Sequence, residues 1–269
     1  DPSQKIDGPM DIAVSGGKIA GVMPDIPPRE AGTLIDAAGR IVTPGLIDLH
    51  THVYDGVLNN GANPDAVGVD QGVTTVVDGG SAGCAVFAGF PRYVIPRART
   101  TIFCFLHISS FGLAVMPEMC CPETIDTAAT ETVIRNHPGL IRGVKIRLVT
   151  KLVAREGVAV VRTAKQTAKN LGLPLMVHIG DRNRWVSPTL TREMLPLLGH
   201  GDILSHCCTG QFGGALGEDG KPLPELVAAR DRGVVLDVVD RRIVLTPDDP
   251  ESLAAEIARR SSLPAAGSS

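Results

Sequence analysis

The sequence predicts an α/β fold, a (β/α)8 TIM-like barrel that is incomplete because seven strands can be identified, with a small N-terminal β subdomain. Helical patterns lie between several of the strands, as parallel strands with right-handed crossovers require. No GxGxxG turn follows any strand, which disfavours the rival open, doubly wound sheet. The predicted strands are apolar, β-branched runs at residues 47–53, 74–78, 101–108, 143–149, 174–179, 202–206 and 234–239.

The first part of the chain has the pattern of a small β subdomain. Residues 11–14 and 18–22 are short β runs that flank Ser-Gly-Gly, which predicts a hairpin around a glycine turn. Residues 34–42 have the pattern of a second strand pair with a turn. Such a sheet is too small to be stable by itself.

Helices are predicted between the later strands and after them. The clearest pattern is residues 158–169, where charged positions favour one face and a glycine and a proline follow. Shorter patterns occupy residues 188–198 and 222–232. These elements divide the chain into a small β subdomain, a barrel, and an atypical C-terminal helix with a flexible tail, at residues 1–43, 44–240 and 241–269.

Composition narrows the expected partners. With 269 residues and 43% hydrophobic composition the chain can bury a large core, while a net charge of -3 provides no basic field for nucleic acid. Nothing resembles a signal peptide or a membrane-spanning stretch, so we expect a small-molecule substrate and no membrane partner. The six cysteines form no disulfide framework, which favours the reducing cytoplasm. Because the first residue is Asp1, we expect an incomplete N-terminus.

Two histidines, His50 and His52, end the first predicted strand of the barrel. Side chains two residues apart in a strand project to the same face, so the two imidazoles can converge on one metal ion. The alternative is that both are strand histidines that face solvent or a polar cavity. A metal site therefore requires further ligands from other strands.

Further polar residues end other predicted strands, as catalytic groups do in barrels of this type. Lys145 lies in the fourth strand, and His178 and His206 end the fifth and sixth. Each histidine alone could equally be a hydrogen-bonded core residue, but a buried lysine is costly unless it is paired or neutral. Together with the first two histidines these residues form a nitrogen and oxygen ligand set suited to Zn²⁺ or a similar ion.

Several motifs together resemble the amidohydrolase superfamily. IDLHTH after TPG, GVK on a middle strand, and VHIG and SHC on later strands carry this resemblance. TTVVDGGSAG, ISSFGL, GVKIR and SHCCTG are similar to its deacetylase-type, dihydroorotase-related branch of binuclear metallohydrolases. The resemblance extends to about residue 237.

The resemblance implies two divalent metal ions, expected to be zinc. His50 and His52 would hold the more buried ion, and His178 and His206 the second. Lys145 would be carboxylated by CO₂, and the resulting carbamate would bridge both ions. A neutral lysine amine can undergo this reaction and so becomes an anionic oxygen donor.

The expected reaction is hydrolysis of an ester or amide bond in a small acylated carboxylate, that is, deacetylation. A shared water whose pKa falls toward ~7 from 15.7 would give a metal-bound hydroxide that attacks the substrate carbonyl. A dihydroorotase-like hydrolysis of a cyclic amide is the alternative chemistry.

Four other residues lie near the ends of the predicted strands. Asp78 and Arg147 are candidate substrate contacts, Arg147 because a guanidinium pairs well with a carboxylate, and a structural ion pair is the alternative for each. Cys207 and Cys208 are interpreted as packing or loop residues, although Cys208 would share the face of His206.

The sequence departs from the family pattern after Asp237. The family has an eighth strand that ends in an aspartate, which binds the first metal and acts as general base, and no such aspartate is found. Asp248 and Asp249 lie in a loop pattern. The chain could therefore be a truncated hydrolase, or a metal-binding but catalytically impaired homologue or interaction protein. A missing strand leaves open sheet edges, so a homo-oligomer is possible.

Overall fold

A computed structural model of the chain describes residue 6 and residues 8–237. The predicted C-terminal helix and tail at 241–269, with Asp248 and Asp249, lie outside the described residues. The chain divides between Pro44 and Gly45 into two compact units.

The first unit contains the predicted hairpin. Strands β1 (Asp11–Ser15) and β2 (Lys18–Met23) pair antiparallel, with Ser15 opposite Lys18. Gly16 and Gly17 form the turn with φ angles of 58° and 74°, a left-handed conformation that two-residue hairpins require at both positions. The two glycines therefore allow the tight turn that the sequence predicts.

The second strand pair, predicted at residues 34–42, was wrong. The structure has no strand there; the chain turns at Gly39, and Asp36 Oδ1 accepts a hydrogen bond from Ala38 N at 2.9 Å. Leu34, Ile35 and Ile41 are 74%, 80% and 93% exposed. An apolar run forms a strand only where a neighbour completes its hydrogen bonds and covers its side chains, and neither is found within the described residues.

The second unit contains the predicted barrel strands. Seven parallel strands lie in the order β3 to β9, each hydrogen-bonded to the next in sequence. The prediction of a partial barrel with seven strands and an accompanying N-terminal β element is confirmed. The strands are β3 (Leu46–Thr51), β4 (Val73–Gly83), β5 (Thr101–His107), β6 (Ile141–Arg147), β7 (Leu175–His178), β8 (Ile203–Ser205) and β9 (Val235–Asp237).

Helices follow most of the strands, and side-chain caps start several of them. Asp126 accepts a hydrogen bond from Ala129 N at 2.8 Å, and Thr150 accepts one from Val153 N at 3.4 Å, which satisfies free N–H groups in the first helical turn. Among the described residues no helix is long and apolar enough to cross a membrane. The helices are α1 (Pro64–Val67), α2 (Thr127–Asn136), α3 (Lys151–Glu156), α4 (Val158–Asn170), α5 (Leu190–Met194) and α6 (Pro224–Asp231).

The core of the second unit has two parts. The larger part includes Val144, Ile146, Val161 and Leu204, all buried, and joins the strands to residues of the helices. The smaller part lies on the other face of the sheet and consists of Val77, Phe105, Met176 and Ile203, with Leu49, Phe103 and Val235 packed against it. A barrel interior filled by layers of side chains has this arrangement.

Candidate active site

On three strands, an apolar side chain on the interior face of the sheet is followed two residues later by a polar side chain on the same face. Side chains at positions i and i+2 of a strand point to the same face, so an apolar core residue and a polar residue follow one another on the same side. The apolar residues are Phe105, Met176 and Ile203, and the polar residues that follow them are His107, His178 and Ser205. Polar groups thus meet at the C-terminal ends of the strands.

Six residues at these ends form what we call the strand-end cluster: His50, His52, His107, Lys145, His178 and His206. The ring centroid of His50 lies 5.4 Å from that of His52 and 5.1 Å from that of His206. The rings of His178 and His206 lie 4.3 Å apart. Lys145 is fully buried, and its Nζ lies 3.2 Å from His50 Nε2. The structure therefore brings all five sequence-predicted metal ligands together.

Two glycines of β4 make room for this cluster. A Cβ atom on Gly79 would lie 2.3 Å from His50 Cδ2, and one on Gly80 would lie 2.5 Å from Lys145 Cγ. Gly80 also has a φ of 93°, a backbone conformation that residues with a side chain rarely adopt. On the same strand, Ser81 Oγ lies 2.9 Å from His52 Nδ1.

Asp78 is built into the scaffold of this segment. It is fully buried, and its carboxylate accepts hydrogen bonds from Val53 N at 2.9 Å, Gly80 N at 3.1 Å and Ser81 N at 2.7 Å. Burial raises the pKa of this carboxyl, and the hydrogen bonds oppose the change. These contacts position the backbone around His52, which directly follows β3, and Asp78 does not line the cavity described below.

His206 follows β8 in an unusual backbone conformation. Its φ is 62°, in the left-handed region, which costs a residue other than glycine about 1–2 kcal/mol. Thr209 N donates to His206 O at 2.9 Å and helps to hold this turn. Strained backbone of this kind is frequent at functional sites.

Burial favours the neutral form of four histidines of the strand-end cluster, which are His50, His52, His107 and His178. Burial, followed by the charge of Lys145, lowers the pKa of His50 to about 2. Burial also lowers the pKa values of His52, His107 and His178 well below their usual range, with further contributions from nearby cations. Neutral imidazole is the form of histidine that binds metal ions.

The donor chemistry of the cluster fits divalent metal ions. Several neutral imidazoles surround a buried lysine, and the buried His107 Nε2 has no hydrogen-bond partner among the described residues. In the part of the chain that the structure describes, no three His, Cys, Asp or Glu side chains are already arranged as a metal site.

A cavity of about 880 Å³ opens beside His178 and His206. Arg147 lines it and pairs with Glu118 at 3.1 Å, and the Glu118 side chain is buried. The ion pair that was the alternative for Arg147 is therefore present. Because Arg147 also faces the cavity, a substrate contact stays a prediction.

The loops after β7 and β8 form one side of the cavity, and we call Asp181, Arg182, Trp185 and Gln211 the loop wall. Asp181 is fully buried. Its carboxylate accepts from the backbone N–H groups of Asn183 at 2.9 Å, Trp185 at 2.6 Å and Val186 at 3.1 Å. One side chain thus shapes the whole loop.

Gln211 joins the two loops. With its amide oriented to satisfy both neighbours, its nitrogen donates to Gly180 O at 3.1 Å and its oxygen accepts from Arg182 Nε at 3.1 Å. Among the described residues no carboxylate pairs with Arg182. The loop wall therefore presents to the cavity a guanidinium that is oriented by Gln211.

The two cysteines after His206 differ in exposure. Cys207 is buried, whereas Cys208 is exposed and lines the cavity. A hydrogen bond from Cys207 lowers the pKa of Cys208 to about 7. Their Sγ atoms lie 3.8 Å apart.

His107 and the loop wall are not among the residues predicted from the sequence. His107 could have been found, because it also ends an apolar run, as His178 and His206 do. Arg182 and Gln211 lie in loops whose sequences carry no periodic pattern. Their proximity is a product of the fold.

Comparison with known proteins gives a consistent result. Residues 33–91 match the sequence pattern of the amidohydrolase family. Deacetylase Atu3266 from Agrobacterium fabrum is 37% identical over 213 residues, which cover 78% of this chain and 51% of that protein. A deacetylase from Enterococcus faecalis is 30% identical over 238 residues, which cover 87% of this chain and 63% of that protein.

The solved structures include a dihydroorotase with a TM-score of 0.69 and 32% sequence identity, covering 86% of this chain and 62% of that one. The chain thus spans about half to three fifths of the length of the proteins that it resembles.

Proposed function

The chain belongs to the amidohydrolase family, and from this premise we propose that the protein is a metal-dependent hydrolase that deacetylates a small carboxylate. The observation that carries the proposal is the strand-end cluster, in which Lys145 lies among neutral histidines beside the cavity. Relatives that are named deacetylases at 30% and 37% identity support the reaction class.

In this proposal His50, His52 and Lys145 would hold one divalent ion, and Lys145, His178 and His206 would hold a second. Lys145 would bind both as its carbamate, and imidazole ligands favour zinc. Ions bound there would supply Lewis acidity, which polarises a carbonyl and lowers the pKa of water. The general base is not assigned, since Asp248 and Asp249 lie outside the described residues.

The residues of this chain would select and orient the substrate. Arg182, held by Gln211, is placed to bind a substrate carboxylate in the cavity. Arg147 would assist, although Glu118 already balances its charge. A carboxylate fixed there would direct the acyl group toward His178 and His206.

Dihydroorotase-like opening of a cyclic amide is the second candidate. The structural match to a dihydroorotase favours it, and its substrate would also present a carboxylate to Arg182. The two reactions are separated by assaying ring opening against deacetylation. For location we propose the cytoplasm, which fits six cysteines that are all free.

The test combines metal analysis and activity. Protein purified without chelator should contain bound zinc or a similar ion and should hydrolyse members of a panel of N-acetyl and O-acetyl acids. Lys145→Met should lower both metal content and activity by at least about 100-fold. Lys169→Met, which removes an exposed lysine from α4, is the matched control and should change neither.

Bound metal without turnover of the panel would support the catalytically impaired homologue instead. Absence of bound metal, with the Lys145→Met protein indistinguishable from wild type, would contradict the proposal.

A further inference from the structure

His107 ends β5 and is fully buried. Its Nδ1 accepts a hydrogen bond from the backbone N–H of Ser109 at 2.9 Å. A backbone N–H can only donate, so Nδ1 must carry the lone pair and the proton of the neutral ring must be on Nε2. The structure thus determines the tautomer: His107 Nε2–H is a hydrogen-bond donor.

This donor has no acceptor among the described residues. Buried polar groups in folded proteins are nearly always paired, because an unpaired one keeps the full cost of its desolvation. Each exception calls for an explanation, such as a ligand atom that completes the bond.

The donor lies beside Lys145. His107 and Lys145 are register partners on β5 and β6, so their side chains project to the same face. Both approach Gly80: a Cβ there would lie 2.5 Å from Lys145 Cγ and 3.6 Å from His107 Cδ2, the ring carbon bonded to Nε2. His107 does not line the cavity, so a substrate in the cavity is a poor candidate for its acceptor.

A lysine amine supplies no anionic oxygen to accept this bond, but its carbamate does. In that reaction the neutral amine of Lys145 forms an N–C bond with CO₂, one C=O π pair moves onto oxygen, and an amine proton leaves to solvent. We propose that His107 is a positioning residue whose Nε2–H donates a hydrogen bond to an oxygen of the Lys145 carbamate. The inference rests on the proposed function, because it requires that carbamate.

Two substitutions separate the contacts of His107. His107→Gln places an amide N–H near the position of Nε2 and loses the contact to Ser109. His107→Asn places an amide oxygen near the position of Nδ1, which keeps that contact and loses the donor. His137→Asn is the control, since that ring lies outside the cluster and its Nδ1 contacts Val133 O at 2.9 Å.

The measurement is carbamate occupancy by ¹³C NMR after equilibration with ¹³C-bicarbonate, together with the ¹H and ¹⁵N signals of the His107 ring. We expect occupancy at subsaturating bicarbonate to fall roughly tenfold or more in His107→Asn and to change little in His107→Gln and His137→Asn. In wild type the Nε2–H signal should shift as bicarbonate is added.

Three results would overturn the inference. His107→Asn could retain wild-type occupancy, or both His107 variants could lose occupancy only in proportion to a lower thermal midpoint, which would indicate a purely structural role. The His107 signal could also respond to bicarbonate in Lys145→Met, which would indicate a noncovalently bound anion. Hydrolysis of the acetyl panel is measured separately, so a chain that forms the carbamate without turnover supports the inference and not the proposed function.

Discussion

The strand-end cluster reaches the cavity through His178 and His206, and the loop wall forms one side of the same cavity, but the two regions are built in different ways. The cluster lies on or directly after strands, and the pleat of the sheet determines where its side chains point. The loop wall depends on Asp181, which accepts three backbone N–H groups, and on one amide, Gln211. One region is held by the whole sheet and the other by a few local bonds.

In the proposed function, the reaction would therefore depend on the strand-end cluster, and the choice of substrate would depend on the loop wall. Loss of a loop contact should alter which substrate is held and leave the donors of the cluster in place. The predictions below alter the loop wall while metal content reports on the cluster.

The largest effect is expected for Asp181→Ala. Three N–H groups would lose a buried acceptor, so we expect a loss of about 2–4 kcal/mol in the free energy of unfolding, measured in urea. Hydrogen exchange should accelerate at Asn183, Trp185 and Val186, while metal content per folded chain stays at the wild-type value. Asp181→Asn, which keeps one oxygen, should lose less. A variant as stable as wild type would show that the loop does not depend on this carboxylate.

Arg182→Gln should have an intermediate effect, limited to binding. Loss of a charged hydrogen-bond donor should raise KM for an acylated carboxylate by about 10- to 100-fold and leave kcat and metal content nearly unchanged. The matched substrate is the neutral amide of the same acid, whose KM should not respond. An equal rise for both substrates would contradict carboxylate recognition by Arg182.

The smallest effect is expected at the rim, where the Lys151 ammonium lies 5.5 Å from the centroid of the Trp185 ring. The pair should contribute about 0.5–1 kcal/mol to stability, since both side chains are partly exposed. A double-mutant cycle of Trp185→Leu and Lys151→Met, followed by urea unfolding, measures the coupling. If the losses in the free energy of unfolding caused by the two single substitutions simply add in the double variant, the contact does not stabilise the protein.

The barrel strands and most of the cluster could be predicted because the signals are local. Buried parallel strands require apolar, β-branched runs, and a polar residue that ends such a run stands out in the sequence. His50 and His52 are predicted in this way, and the same rule applies to His107, which ends the apolar run of β5.

The remaining features depend on contacts between distant parts of the chain. Residues 34–42 have the composition of strands but no partner strand among the described residues, so local pattern alone predicted them wrongly. The approach of Gln211 to Arg182 depends on two loops that are ordered by buried backbone contacts, among them Asp181 N to Phe212 O at 2.8 Å. The tautomer of His107 depends on Ser109, whose N–H direction only the fold defines.

The alternation of apolar and polar residues on the interior face also couples folding to chemistry. A slip of β5 by one residue would turn His107 toward the helices and bring Leu106 into the barrel, because adjacent residues of a strand face opposite sides. The same slip would remove Phe105 from the apolar layer below. A sheet with the wrong register would thus lose part of its apolar core and a residue of the candidate site together. The NMR signals of the buried histidine rings would therefore report directly on whether the strands are correctly paired.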